Sequence, residues 1–140
     1  MFTIRKKWRI EMAHRLTVAH SKSCSDCIHG HSYIIEVLLR ADQLDETGMV
    51  IDFGALGELK AIVMELDHCL MLQTVPENEH EMSTNRKLVW TTFNPTAENM
   101  AKELYDRMSL SSILRGQNRV QLVLVRVHET DSGYAEYQES

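Results

Sequence analysis

The sequence predicts an α+β fold in which two helices pack on one face of an antiparallel β-sheet. The N-terminal segments alternate between apolar and polar residues, two middle segments carry apolar residues at helical spacing, and a C-terminal segment is rich in β-branched and aliphatic residues. The resulting order is strand, strand, helix, helix, strand, strand. A chain of 140 residues has room for one domain, which we assign to residues 1–140.

Two strands are predicted near the N-terminus from their alternation. In the first, the apolar residues share the parity of His14, which ends the strand. In the second, over residues 31–41, the apolar residues share the parity of His29 and His31. Residues 15–28 between them form a loop rich in Ser, Cys and Asp.

Two helices are predicted in the middle of the chain. Asp52 is a suitable N-cap for a helix whose apolar residues recur at helical spacing up to Leu66. A second helix follows Asn94-Pro95-Thr96, because a first turn tolerates proline and the apolar residues from Ala97 to Met108 recur every three or four positions.

The C-terminal part of the chain supplies the last two strands. Residues 119–129 are mainly β-branched or aliphatic and predict one strand, and residues 134–138 predict a short closing strand. The segment 70–93 has no clear pattern, and within it residues 87–93 are interpreted as an extra strand closing a long polar loop.

Composition and charge exclude several classes of function. The net charge of −5 and the absence of a basic block argue against nucleic-acid binding through phosphate neutralisation. The apolar stretches are too short for a transmembrane helix, and the N-terminus does not resemble a signal peptide, so a cytoplasmic protein is expected. Three cysteines are too few for a disulfide framework.

Three histidines are the candidate metal ligands. His29 and His31 flank Gly30 on one strand, so their side chains project to the same side. If the two N-terminal strands pair as a hairpin, His14 joins them at one end of the sheet. A zinc ion with an open catalytic position takes three protein ligands, commonly imidazoles. We therefore predict a zinc site at His14, His29 and His31.

The cysteines that precede these histidines admit three interpretations. Cys24 and Cys27 form, with His29 and His31, a sequence compatible with a structural Cys₂His₂ zinc site. The same C-x-x-C spacing is compatible with a redox pair. In the third interpretation, one thiolate acts as a base beside a metal-bound substrate.

Two further groups have side chains suited to acid–base or recognition chemistry. Asp67 and His68 are adjacent, and a carboxylate beside an imidazole forms either a proton relay or a simple cap or ion pair. Glu129 ends an otherwise apolar strand face, where a carboxylate requires a partner. A guanidine-like ring edge with two adjacent N–H donors would suit it, and so would an arginine.

Six short segments of the chain carry a resemblance to a known family. They are Ala13-His14-Arg15, His29-Gly30-His31, Thr47-Gly48-Met49-Val50-Ile51-Asp52-Phe53, Leu66-Asp67-His68, Asn94-Pro95-Thr96-Ala97-Glu98-Asn99 and His128-Glu129-Thr130. Together they resemble the 6-pyruvoyltetrahydropterin synthase / 6-carboxytetrahydropterin synthase family, in the family's order, over roughly residues 8–137.

The resemblance implies a fold and an assembly. It implies a T-fold, with a four-stranded antiparallel sheet and two helices on one face in the order ββααββ. It further implies a homohexamer of two stacked trimers, with active sites between subunits.

The resemblance also assigns roles to residues. His14, His29 and His31 match the zinc ligands, and Glu129 matches the pterin-binding glutamate. The remaining matches are residues that line the ring pocket, Thr96 and Glu98, and a pair that assists a cysteine base, Asp67 and His68.

The position of the cysteine departs from the family pattern. The carboxy branch has three residues between the cysteine and His-Gly-His, and the pyruvoyl branch has five. Here four residues follow Cys24 and one follows Cys27, while Ser25 stands at the carboxy-branch spacing. Cys24 is assigned as the base because it can reach across the metal to the substrate, with Cys27 as the alternative.

The activity that the resemblance implies is that of a zinc-dependent lyase. The expected substrate is 7,8-dihydroneopterin triphosphate and the expected product 6-carboxytetrahydropterin, on the queuosine or deazapurine route. The alternatives are a 6-pyruvoyltetrahydropterin synthase of the tetrahydrobiopterin type and a non-catalytic pterin-binding homologue.

Overall fold

The computed structural model describes residues 1–83 and 87–140 and contains six strands and three α-helices among them. The strands are β1 (Phe2–His14), β2 (His29–Ala41), β3 (Leu70–Gln73), β4 (Leu88–Thr91), β5 (Gln121–Thr130) and β6 (Gly133–Tyr137). The helices are α1 (Lys22–Asp26), α2 (Gly57–Met64) and α3 (Ala97–Ser109), with 3₁₀ turns over Phe53–Leu56 and Pro76–Ser83. None of the described helices has the length and apolar character needed to cross a bilayer.

All six strands belong to one sheet in the order β4-β3-β1-β2-β5-β6. β1 and β2 pair antiparallel over their whole length, from Phe2 opposite Ala41 to His14 opposite His29. β5 and β6 continue the sheet antiparallel on the β2 side. The long β1–β2 ladder therefore brings the histidine-bearing ends of both strands to the same end of the sheet.

Helices α2 and α3 cover one face of the sheet and enclose the core. The alternating apolar residues of β1 and β2, including Ile10 and Ile35, are fully buried against apolar residues of α3 such as Leu104. Side-chain oxygens cap the start of the 3₁₀ turn before α2 and the start of α3. The Asp52 carboxylate accepts the Gly54 N–H, and the Thr96 hydroxyl accepts the Asn99 N–H at the start of α3.

The sheet is larger than the four antiparallel strands expected. β3 and β4 add two short strands, and β1, β3 and β4 pair in parallel. All of β3 except Gln73 is buried, so this four-residue strand lacks the alternation that marks a half-exposed strand. The extra strand predicted within residues 87–93 is present as β4, whereas residues 84–86 of the polar loop lie outside the described residues.

A charged cluster lies on the sheet face opposite the helices. Glu36 of β2 is buried there and accepts a hydrogen bond from Arg5 at 2.8 Å. His128 Nε2 also lies 2.8 Å from Glu36, and Arg126 lies 3.5 Å away. Burial by itself raises the pKa of the Glu36 carboxyl, but the bonds to His128 and Arg5 and the charge of Arg126 outweigh it and leave the pKa lowered.

Replacing Leu104 with alanine is expected to lower the free energy of unfolding by about 2–5 kcal/mol, because a fully buried leucine leaves a cavity. Leu110, which is 68% exposed just beyond α3, is the matched control, and its alanine variant is expected to change stability by less than about 0.5 kcal/mol. Urea denaturation measures both. Equal losses in the two variants would contradict the position of the core.

Glu36→Gln is expected to flatten the acid side of the stability–pH curve. The folded pKa of Glu36 lies below its ordinary value of 4.5, so its contribution to stability is complete above that pH. The contribution is lost as the pH falls through the folded pKa. Urea denaturation between pH 7 and pH 3 measures the effect. The exposed Glu103→Gln is the control, and an unchanged acid limb in Glu36→Gln would contradict the assignment.

Candidate metal centre

The three predicted histidines converge at the end of the β1–β2 ladder. His14 is the last residue of β1, and its partner His29 is the first residue of β2. His31 follows two residues later and projects to the same face as His29. One ligand nitrogen from each of the three residues lies within 4.8 Å of the others. Among the described residues, no other group of three or more His, Cys, Asp and Glu side chains lies close enough together to bind a metal.

The outward hydrogen bonds of two imidazoles fix which nitrogen faces the cluster. His14 Nδ1 lies 2.8 Å from the Pro95 carbonyl, and His29 Nδ1 lies 3.0 Å from the Cys27 carbonyl. A carbonyl oxygen only accepts hydrogen bonds, so both Nδ1 atoms carry the proton. In the neutral imidazoles, Nε2 then presents a lone pair towards the cluster, which is the arrangement common in metal-ligating histidines.

The Nε2 atoms of His14 and His29 face each other at 3.0 Å. Two lone pairs at this distance repel each other, and either an added proton or a bound cation removes the repulsion. Zinc–nitrogen bonds of 2.0–2.1 Å in a tetrahedral site separate ligand atoms by about 3.3 Å. The observed spacing of this pair therefore fits two ligands of one ion.

The third imidazole, that of His31, has a nitrogen without a hydrogen-bond partner. Its Nε2 is buried and makes no hydrogen bond, although a carboxylate oxygen of Glu129 lies 3.2 Å away. Burial lowers the pKa of His31; Glu129 acts against this, and the neighbouring His14 and His29 add to it. An imidazole with a buried nitrogen that makes no hydrogen bond is competent to bind a metal, so the donor set fits the expected ion.

Glu129 lies at the edge of the histidine cluster. Its Oε1 is 3.4 Å from His14 Nε2 and 3.2 Å from His31 Nε2, and the side chain is 34% exposed. The contact with His14 lowers the pKa of Glu129, and His31 adds to this against the opposing effect of partial burial. Sequence reasoning expected a partner for this carboxylate but not its contact with two of the metal-ligand candidates. The arrangement allows it either to bind the metal or to meet a ligand beside the metal.

Two groups that sequence reasoning missed support the cluster. Tyr33 is fully buried, its ring contacts the rings of His14 and His31, and its hydroxyl lies 3.5 Å from His14. Its parity with His29 and His31 was a usable signal for this position. The second group is the Pro95 carbonyl, for which the side-chain pattern holds no signal because the group belongs to the backbone.

The Asp67–His68 pair lies beside β1. The Asp67 carboxylate accepts the Glu11 N–H at 2.9 Å, and the His68 N–H donates to the Glu11 carbonyl at 2.6 Å. His68 adopts a left-handed backbone conformation with φ of 61°, and its Nδ1 lies 3.0 Å from Asp67 Oδ2. The bond from Glu11, with the contact to His68, lowers the pKa of Asp67. Asp67 therefore orients an imidazole that is 76% exposed.

His68 and His31 line one shallow cavity of about 390 Å³. Gly30 and Ser32 of β2 and Cys69 also contribute to its wall. A group bound in this cavity would therefore contact a candidate metal ligand on one side and the Asp67-oriented imidazole on the other.

The cysteine loop is attached to the start of α3. The Asn94 side chain accepts the Thr17 N–H at 2.8 Å and donates to the Val18 carbonyl at 2.9 Å. Cys24 is half-buried in α1 and Cys27 is exposed just after it. Neither sulfur belongs to the metal-ligand group found among the described residues, which disfavours the Cys₂His₂ interpretation.

Thr96 and Glu98 lie at the start of α3. The Thr96 hydroxyl is used in capping the helix, and Glu98 is exposed in the first turn. The segment they belong to contacts the cluster through Pro95. Within the described part of the chain, the structure thus gathers the three histidines and Glu129, while the side chains of Thr96, Glu98 and the two cysteines make no hydrogen bond to that group.

Comparison with solved structures defines the fold class. The structure of Plasmodium vivax 6-pyruvoyl tetrahydropterin synthase matches this chain with a TM-score of 0.73 at 19% identity, covering 99% of each chain. The expected T-fold is therefore confirmed, with the two short parallel strands as additions to the expected sheet.

Comparison of sequences defines the family. A model of the 6-pyruvoyl tetrahydropterin synthase family matches residues 3–140. The chain is 32% identical to a 6-carboxy-5,6,7,8-tetrahydropterin synthase of Rickettsia felis, covering 84% of this chain and 87% of that protein. It is also 32% identical to the protein of the same name from Aquifex aeolicus, covering 97% of each. This chain belongs to the 6-pyruvoyl tetrahydropterin synthase family.

His31→Ala is expected to lower the metal content of the purified protein from about one ion per chain to less than about 0.2, because two imidazoles remain. The exposed His20→Ala is the control and keeps its metal. The double replacement of Cys24 and Cys27 by serine is also expected to keep the metal. Elemental analysis measures all three proteins, and metal loss in the double variant with retention in His31→Ala would contradict the three-histidine site.

Proposed function

We propose that the protein is a zinc-dependent 6-carboxytetrahydropterin synthase that acts on 7,8-dihydroneopterin triphosphate. The observation that carries the proposal is the convergence of one ring nitrogen from each of three imidazoles beside the Glu129 carboxylate. The names of the similar proteins from Rickettsia felis and Aquifex aeolicus support the same activity.

Zinc is the proposed metal because three neutral imidazoles form the ligand set of open catalytic zinc sites. His14, His29 and His31 would hold it, with Pro95 and Cys27 carbonyls fixing the proton positions of two of them. Bound there, zinc would supply Lewis-acid polarisation of the substrate's side-chain oxygens.

Glu129 is proposed to bind the pterin ring. Two adjacent N–H groups of the ring edge can donate to one carboxylate, a bidentate arrangement that gives both orientation and affinity. The lowered pKa of Glu129 supports an ionised carboxylate that accepts both bonds. Thr96 and Glu98, at the start of the helix that contacts His14 through Pro95, are proposed to line the same ring pocket.

A cysteine and the Asp67–His68 pair are proposed to move protons on the substrate side chain. Cys24 is the preferred base and Cys27 the alternative, since both lie in the segment that leads into His29. Asp67 would hold the His68 imidazole in one tautomer and orientation, so that His68 accepts and returns a proton. Triphosphate leaves, water adds to the side-chain carbonyl next to the ring, and cleavage of the adjacent C–C bond releases the other two carbons as acetaldehyde and gives the carboxy product.

Family membership also supports one alternative product and a proposed assembly. If the side chain is rearranged without cleavage, the product is 6-pyruvoyltetrahydropterin, as the family's name indicates. A homohexamer with active sites between subunits is proposed, and the high exposure of His68 in a single chain agrees with it. The cytoplasmic location and the queuosine or deazapurine route stay predictions.

The zinc-loaded protein is expected to convert 7,8-dihydroneopterin triphosphate to 6-carboxytetrahydropterin, identified by mass spectrometry. Formation of only the pyruvoyl compound would reassign the product. Absence of both compounds with full zinc occupancy and retained pterin binding would favour a non-catalytic homologue.

Cys24→Ala is expected to lower kcat by about 10²-fold or more with zinc content unchanged, because a positioned base contributes about that factor. Cys27→Ala is the matched control, since it removes a thiol of the same short segment. Steady-state kinetics measures both, and the reverse result would transfer the role to Cys27.

A further inference from the structure

Glu129 lies at an irregularity of the sheet. In the β5–β6 ladder, His128 pairs with Tyr134 and Thr130 pairs with Gly133. β5 therefore carries one more residue than β6 between these pairs, and that residue is Glu129. The pairing of β5 with β2 also ends at His128. A bulge leaves its extra residue unpaired in the ladder and changes the direction in which that residue's side chain projects.

His128 is the residue that holds the bulge on its N-terminal side. Its imidazole lies on the sheet face opposite the metal centre, where Nε2 is 2.8 Å from Glu36 Oε2. Its ring also packs on Tyr134 with 5.0 Å between the ring centroids. These contacts join β5 to β2 on one side and to β6 on the other, at the last regular position before Glu129.

Glu36 is itself held firmly. The side chain is 3% exposed, lies in the centre of the sheet and bonds to Arg5 from β1. Arg126 completes the surroundings from β5 and is paired with Glu136 of β6. A buried carboxylate bonded from both neighbouring strands has little freedom, so it gives His128 a fixed point of attachment.

We propose that Glu36 and His128 are positioning residues that direct the Glu129 carboxylate towards the pterin from the opposite face of the sheet. The proposal rests on the proposed role of Glu129 in pterin binding. Glu129 follows His128 directly and contacts His14 and His31 on the face opposite the His128 imidazole, so the orientation of His128 on one face constrains that of Glu129 on the other. Loss of the Glu36–His128 bond removes the side-chain attachment of this position to β2 and leaves only the packing on Tyr134 and the backbone pairs with β2 and β6.

His128→Leu is expected to raise the Kd for neopterin and the KM for the triphosphate substrate about tenfold, with kcat changed less than about threefold and zinc content unchanged. The physical reason is that a displaced Glu129 weakens substrate and transition-state binding alike. His128→Gln retains an N–H donor for Glu36 and is expected to restore most of the affinity. Calorimetric titration with neopterin and steady-state kinetics measure the effects on the zinc-loaded protein.

Gln121→Leu is the matched control. Gln121 accepts a hydrogen bond from Arg40 at 3.0 Å, which is another side-chain bond between β2 and β5, on the same sheet face and at its far end. If a general loss of sheet stability caused the effect, both variants would show a similar rise in KM and in Kd. Thermal unfolding measures the stability of each variant. The proposal expects the rise in KM and in Kd only in His128→Leu.

Retention of neopterin affinity within twofold in His128→Leu, in a folded protein, would overturn the positioning role. Failure of the underlying function gives a different result. If Glu129→Gln leaves neopterin affinity unchanged or removes zinc, then Glu129 is not the pterin-binding residue, whatever His128 does. If Glu129→Gln loses affinity with zinc retained while His128→Leu does not, the positioning proposal alone is wrong.

Discussion

The candidate site depends on the register of one antiparallel pair of strands. Opposing His14 to His29 across β1 and β2 brings two imidazoles together, and the strand period of two adds His31 on the same face. A slip of one residue would turn every side chain of one strand to the other face, so the core residues and the candidate metal ligands share a single register. The thirteen-residue ladder packed against α2 and α3 thus fixes the site and the core together.

The second constraint is electrostatic. The cluster concentrates unused lone pairs where the core would otherwise be apolar, and it leaves His31 Nε2 without a hydrogen bond. Such groups lower stability unless a cation or a proton satisfies them. Binding of a metal ion at this end of the sheet would therefore be linked to folding, since an ion that binds the folded ligand set stabilises that state.

The sequence predicted the strands and helices in which apolar residues recur at regular intervals. The histidine-bearing strands alternate over thirteen residues and α3 has a clear apolar stripe, so their existence and their shared site were predictable. β3 and β4 are four residues each and β3 is almost wholly buried, which leaves no alternation to detect. The contact of Glu129 with two imidazoles was not predictable either, because it depends on a bulge that only strand pairing defines. The roles of Cys24, Cys27 and Asp67–His68 in catalysis stay predictions.

The hydrogen bond from His14 to Pro95 has a consequence for how this site tolerates genetic change. The acceptor is an amide oxygen, which every amino acid at position 95 would carry, so no codon substitution deletes it. In a survey of single mutants, a substitution at position 95 would act only through the backbone shift that it causes. Such a survey would not detect the role of the Pro95 carbonyl in fixing the tautomer of His14. Replacing the amide that contains this oxygen with an ester, by chemical synthesis, would weaken the acceptor while leaving the side chains intact.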